Sequence, residues 1–295
     1  HLVDGGTPRF DLDGYTDLGT TEDFMPYYPD DDQYQLVANV TWMKGSHNLR
    51  FGSDMYRTGM NHIQPEILDD SFGARGGFNF NAGPTQLRRG PGGTNFNSFG
   101  SFLLGLPSEA GRLRLNVQPY TTRSWQYSFY VRDQWQVNPR MTLSFGTRYE
   151  YFPIPTRADR GLERYNLDTN MMEIGGLDGV PQDLGVKMQK NLFSPRVGLT
   201  FRLAESAVIR GGFGITNDPY SLARSMRTNH PILVNLYDEA EHSFTWVRPI
   251  EQGIPLIPEP DLTSGIIPVP GNVSVVTLPD DFKRGRLDSW NVAFE

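Results

Sequence analysis

The sequence predicts an all-β protein: a transmembrane antiparallel β-barrel of the outer-membrane type, present as a partial barrel with long extracellular loops. Three observations carry the prediction. First, residues 124–152 (SWQYSFYVRDQWQVNPRMTLSFGTRYEYF) read as two strands of eleven or more residues around a tight turn. Trp125, Tyr127, Phe129, Val131, Trp135 and Val137 share one parity, broken only by Asp133, against Gln126, Ser128, Tyr130, Arg132, Gln134 and Gln136. Beyond Asn138-Pro139-Arg140, Met141, Leu143, Phe145, Thr147, Tyr149 and Tyr151 alternate with Thr142, Ser144, Gly146, Arg148 and Glu150. Side chains alternate across a strand, so each strand has one apolar and one polar wall. Soluble sandwich strands share the alternation but are shorter, and rarely end in aromatics. Second, the same pattern recurs in two further hairpins. Third, short and long connections alternate along the chain, as in outer-membrane barrels.

Composition agrees. Hydrophobic residues make up 38% of the 295, and no run approaches the roughly 18 apolar residues of a membrane-spanning helix. A mean hydropathy of -0.46 still permits a barrel, whose strands give half their positions to polar side chains. Aromatics at 12%, with 31 Gly and 22 Pro, favour strands and turns. The absence of cysteine suits an oxidising compartment, and a net charge of -7 argues against a nucleic-acid partner. The opening His1-Leu2-Val3-Asp4 has neither the basic start nor the apolar core of a signal peptide.

Residues 1–32 show no sustained period and read as a surface loop. Asp11-Leu12-Asp13-Gly14 lacks the further ligands of a calcium loop and reads as a turn, and Asp30-Asp31-Asp32 as a solvated acidic tip. Residues 33–58 form the first hairpin. Tyr34, Leu36, Ala38, Val40 and Trp42 line one wall, Lys44-Gly45-Ser46 turns, and Leu49, Phe51 and Met55 return opposite Arg50, Gly52 and Asp54. His47 lies beside the turn without a second residue spaced as a metal ligand. Asn39-Val40-Thr41 and Asn272-Val273-Ser274 are formal glycosylation sequons, of no weight if the protein is bacterial.

Residues 59–70 read as loop, 72–81 as a shorter strand and 82–95 as a flexible linker whose Gly/Arg content lacks the context of a phosphate loop. Residues 96–106 space Phe96, Phe99, Leu103 and Leu106 as a helix does, stopped by Pro107. Residues 112–118 alternate again and lead into the central hairpin, giving a strand region of 110–152. A long loop spans 153–191. Residues 192–216 form the third hairpin about Ala204-Glu205-Ser206, with Val197, Leu199, Phe201 and Leu203 opposite Arg196, Gly198, Thr200 and Arg202. On its partner, Ile209, Phe213 and Ile215 oppose Arg210, Gly212 and Gly214. The glycines there suit a bending strand better than a dinucleotide site. Residues 217–283 are Pro-rich, with short apolar runs at 244–247 and 273–276, and 286–295 begin another strand.

The turns at 44–46, 138–140 and 204–206 are three residues each, which places them on the periplasmic side. Residues 82–108 then fall on that side as well. The whole chain belongs to one barrel domain of about nine crossing strands, with no plug or N-terminal domain in it.

YVRDQWQVNPRMTLSFGTRYEYF resembles the recurrent "QD-W-V-T-PRLTL-GLRYE" segment of TonB-dependent outer-membrane receptors, in particular the Oar-like subgroup. SPRVGLTFRL followed by AVIRGGFGI is similar to the "PR-G-Y…LRGGYG" hairpin of that subgroup. SFLLGLPSEAG, KGSHNLRFGSD and SWNVAFE also fit, in the family's order from about residue 34 onward. Arg132-Asp133-Gln134 and Ser53-Asp54 depart from the usual Gln-Asp and Gly-Asp. The resemblance implies a barrel closed by about 22 strands around a plug, so that this chain would be an internal piece. It also implies residence in the outer membrane of a Gram-negative bacterium, and uptake of a scarce extracellular substrate through the TonB system, which would act via the missing N-terminal region.

Read by parity, Arg50, Asp54, Arg132, Arg148, Glu150, Arg196, Arg202 and Arg210 face the lumen. Trp42, Trp125, Tyr127, Phe129, Leu143, Phe145, Tyr149, Leu199, Phe201 and Phe213 face outer-membrane lipid. A structural or adhesive surface barrel is the alternative function, and a soluble secreted binding module a third. No nucleophile–base pair, metal spacing or paired carboxylates point to an enzyme, and no cofactor is expected.

Overall fold

The computed structural model describes residues 5–20, 25–65, 72–222, 226, 229–271, 273 and 275–295. The strands run β1 (Arg9–Leu12), β2 (Tyr28–Lys44), β3 (His47–Ile63), β4 (Gly77–Phe80), β5 (Glu109–Leu115) and β6 (Tyr120–Asn138). They continue as β7 (Met141–Tyr151), β8 (Glu163–Asn166), β9 (Met171–Ile174), β10 (Lys187–Met188) and β11 (Leu192–Ala204). The last are β12 (Ala207–Asn217), β13 (Leu233–Glu239), β14 (Ile266–Pro268), β15 (Asp281–Phe282) and β16 (Arg286–Phe294). An α-helix, α1, spans Asn95–Leu103.

Seven strands form the main sheet, in the order β16-β12-β11-β7-β6-β3-β2, with every neighbour antiparallel. Its edges, β16 and β2, do not pair with each other, so the sheet is an open barrel wall. The three expected hairpins are present, with all their turns at one end. Register tightens each turn to two residues, since Lys44 pairs with His47, Asn138 with Met141 and Ala204 with Ala207. Gly45 takes φ 59, the left-handed value at the first turn position that matches strand twist. The Pro139-Arg140 and Glu205-Ser206 turns lack a positive φ, and each is flanked by a bulge instead.

The other end carries a cap. The described residues of 64–119, 152–191 and 218–285 leave the sheet there and pair with one another. Parallel β1 and β4 join β5 and β13 in a four-stranded sheet, β14-β9-β8 form another, and β10 pairs with β15. β13, β14 and β15 therefore tie the third connection to the first two. All four hydrophobic core clusters belong to this cap or to its junction with the sheet at Met60, Ile63 and Tyr120.

The structure corrects several expectations. Seven strands cross, not about nine: residues 72–81 and 112–118 alternate as crossing strands do, but supply β4 and β5 to the cap. The described residues of 64–119 consequently stay on one side, and α1 lies at the long-loop end rather than with the tight turns. The strand region 110–152 is broken between β5 and β6, while β2 and β3 extend beyond 33–58. The acidic tip is paired strand: Asp31 meets His62 at 2.7 Å and Asp32 meets Arg57 at 2.8 Å. Asp11 lies in β1 beside Arg9. The run 244–247 forms no strand. Of the run 273–276, the described residues make only a bridge from Val273 to Leu236. The second sequon, the opening tetrapeptide and residues 66–71 lie outside the described residues.

Candidate functional site: the concave polar wall

Period two and the register together sort the sheet into two faces. Arg50, Asp54, Arg132, Arg148, Glu150, Arg196, Arg202 and Arg210 all share one face, because each pairs across to a residue of the same face. The ten residues from Trp42 to Phe213 expected on the opposite wall share that other face.

The polar face lines a cavity of about 980 Å³, so the sheet is concave on this side. The eight charged residues separate by height. Nearest the cap, Arg148 donates to Glu150 at 3.1 Å and lies 3.8 Å from Asp54, which also accepts from Gln35 at 3.1 Å. In mid-wall, Arg50 stands directly opposite Arg132, which stands opposite Gly146, and Gly146 opposite Arg196. Near the turns Arg210 meets Glu295 at 3.2 Å, and Arg202 lies beside the bulge. Among the described residues the side chains of Arg50, Arg132, Arg196 and Arg202 have no ion-pair or hydrogen-bond partner.

Glycine shapes the mid-wall. A Cβ on Gly146 would stand 2.8 Å from the Arg132 Cα, and one on Gly212 would stand 2.7 Å from the Asn291 side chain. Side chains there would fill the floor between the arginines. Ser144, Ser194, Thr216, Ser289 and Asn291 supply the polar rim. Sequence parity identified the strands of this wall but not which of its charges are neutralised. That depends on neighbours, such as Glu295 beside Arg210, far apart in the chain.

The apolar face is open from edge to edge. Phe129 is 53% exposed and Trp290 79%, and no layer of the described residues covers them. A contiguous apolar surface of this breadth marks an interaction or membrane surface. Aromatics bound it at both ends: Tyr34, Trp125 and Tyr149 toward the cap, Trp42 and Trp135 toward the turns. Trp125 and Trp135 lie about ten residues apart on β6, about 33 Å along a strand. Tilted by roughly 40°, that is about 25 Å of height, the apolar band of an outer-membrane barrel.

An acid interrupts this face within β6. Asp133 is buried and accepts from, or donates to, His47 Nδ1 at 2.7 Å, while the His47 ring stacks on Trp135 at 5.2 Å. The two oddities of the sequence, an acid in the apolar parity and a histidine beside the turn, bond to each other. Among the described residues no three His, Cys, Asp or Glu side chains form a metal-ligand group.

Sequence reasoning missed the polar groups of the cap. Arg157 and Glu163 form a fully buried pair, from which Arg157 also donates to the carbonyls of Thr121 and Met226. Asn229 bonds the Glu163 carbonyl and both polar backbone atoms of Val276. Beside it, burial pushes His230 down to about 4, so this ring is neutral at physiological pH.

A family model described as an outer membrane beta barrel domain matches residues 1–295, the whole chain. No curated protein and no solved structure matches it.

Proposed function

The chain belongs to the outer membrane beta barrel domain family and resides in the bacterial outer membrane; from that premise we propose that it is barrel wall of a TonB-dependent receptor of the Oar-like kind, importing a scarce extracellular solute. The apolar wall meets lipid, the concave wall meets the lumen, and the cap stands outside the cell, where it contacts the solute first. The observation that carries the reading is the contrast of the two walls. One is apolar and uncovered across seven strands, and the other is concave and holds arginines with no partner of their own. A purely structural barrel has no need of unneutralised charge facing a cavity. The TonB system is the energy-supplying partner in this reading, and the protein itself performs no covalent chemistry.

A second reading, surface adhesion, draws on the cap, whose three connections are knit together by β13, β14 and β15 into a folded platform. In vivo photo-cross-linking separates the two. In cells whose barrel is correctly assembled, a cross-link from the protein to TonB is the expected result. Its absence, together with cell attachment that persists when TonB is deleted, overturns transport in favour of adhesion.

A further inference from the structure

We propose that Arg50, Arg132 and Arg196 form an oxyanion-binding site, which takes a small hydroxylated solute carrying phosphate, sulfate or carboxylate groups. The inference rests on the concave wall being the lumen.

Like charges directly across a strand pair destabilise it, so Arg50 opposite Arg132 works against the sheet. Elsewhere on this wall every carboxylate is already engaged: Asp54 and Glu150 with Arg148, Glu295 with Arg210. The mid-wall arginines have no such neutralisation among the described residues, although acidic residues outnumber basic ones, 34 to 27, in the chain as a whole. Stability does not account for that arrangement, whereas an anionic ligand does.

The geometry fits one. Neighbouring strands lie about 4.8 Å apart, so Arg132 and Arg196, with β7 between them, are roughly 10 Å apart at the backbone. Guanidinium groups reaching inward from three strands span a ligand with two oxyanions, each matched by a planar fork of donors. Gly146, Gly198 and Gly214 keep the floor between them low, and the cavity of about 980 Å³ has room for a solute of that size. Ser144, Ser289 and Asn291 offer a rim that suits hydroxyl groups better than an apolar tail. A small polar polyanion therefore fits better than a fatty acid or a neutral sugar.

The test measures binding of pyrophosphate and citrate to the protein purified from outer membranes, by calorimetry at two salt concentrations. Both probes are expected to bind, more weakly at high salt. R132Q should weaken them at least tenfold and R50Q/R132Q at least a hundredfold, while R140Q, at the turn, leaves affinity unchanged. Equal affinity in wild type and the double variant, or no binding in wild type, overturns the proposal. If the anions do not bind but the double variant exposes a protected segment to protease, the row clamps an acidic piece of protein instead. The solute assignment then fails with transport intact. In vesicles, a charged maleimide should label S144C and spare F145C. The reverse would invert the walls and remove the reading beneath the proposal.

Discussion

Phe129, in the middle of the large sheet, is 53% exposed, whereas Phe80, in the cap, is 1% exposed. Both sit in β-strands, yet only the second is held by burial from water. Each of the four core clusters lies in the cap or where it joins the sheet, and the sheet contributes a backbone ladder with side chains splayed to both sides. The cap follows the rules of a water-soluble domain, in which burial of apolar surface holds the parts together. The sheet follows those of a bilayer, where every backbone group must be bonded internally and the apolar side chains meet hydrocarbon. One chain thus satisfies two solvents, and the boundary runs through Met60, Ile63 and Tyr120.

That contrast can be broken at its strongest point in the cap. Glu163→Ala leaves Arg157 buried without a counter-charge, with an expected cost of about 3–5 kcal/mol. Protease should then clip the cap while the barrel keeps its folded mobility on unheated gels. An equally protected cap would show that the pair contributes little. In the sheet, Phe145→Arg should cost roughly 2–4 kcal/mol in urea-driven unfolding from vesicles, and Ser144→Arg much less. If the two variants unfold alike, the walls do not differ in solvent. Phe145→Trp sharpens the point: brominated lipid should quench it strongly.

Acid should act on the cap. His230 is held neutral down to about 4, whereas the unfolded ring protonates near 6.5, so the unfolded state binds more protons between those values. Its contribution is complete above about 6.5 and is lost as pH falls toward 4, by at most about 3 kcal/mol. Proteolysis of the cap across that range should accelerate in the wild type and flatten in His230→Phe. A wild-type profile flat through the window would place the sensitivity elsewhere. The smallest effect belongs to the turn, where Gly45→Ala keeps open space around its methyl but forces φ 59 on an L-residue. A loss of about 1 kcal/mol is expected from refolding titrations.

The sheet was legible because period two over ten or more residues is a strong local signal. Trp125 through Trp135 announce a wall before any partner is known. The cap was not, because its elements are defined by partners far away: β5 matters through β13, more than 100 residues on, and Arg157 through Met226, 69 residues on. Alternation also misled, since Arg112 to Leu115 reads like a crossing strand whether its apolar side meets lipid or Ile232 and Leu233. Counting β4 and β5 as crossings is what displaced residues 82–108 to the wrong end. The mid-wall arginines were each visible as polar-wall residues. Their gathering into one row required the register, which no single strand encodes.

The pair of Asp133 and His47 has a consequence for assembly. Alternation by itself forbids β3 from sliding along β6 by one residue, since every side chain would change walls. It is blind to a slide of two, which keeps both walls intact. In the native pairing His47 faces Trp135 while Asp133 faces Leu49, and the two side chains meet on the diagonal. Shifted two residues one way, His47 moves opposite Val137, out of reach, and Asp133 is stranded among apolar neighbours. Shifted the other way, His47 confronts Asp133 head-on and loses the indole it lies against. A polar contact in the apolar wall thus acts as an alignment key, rejecting the even-numbered errors that the hydrophobic pattern lets through.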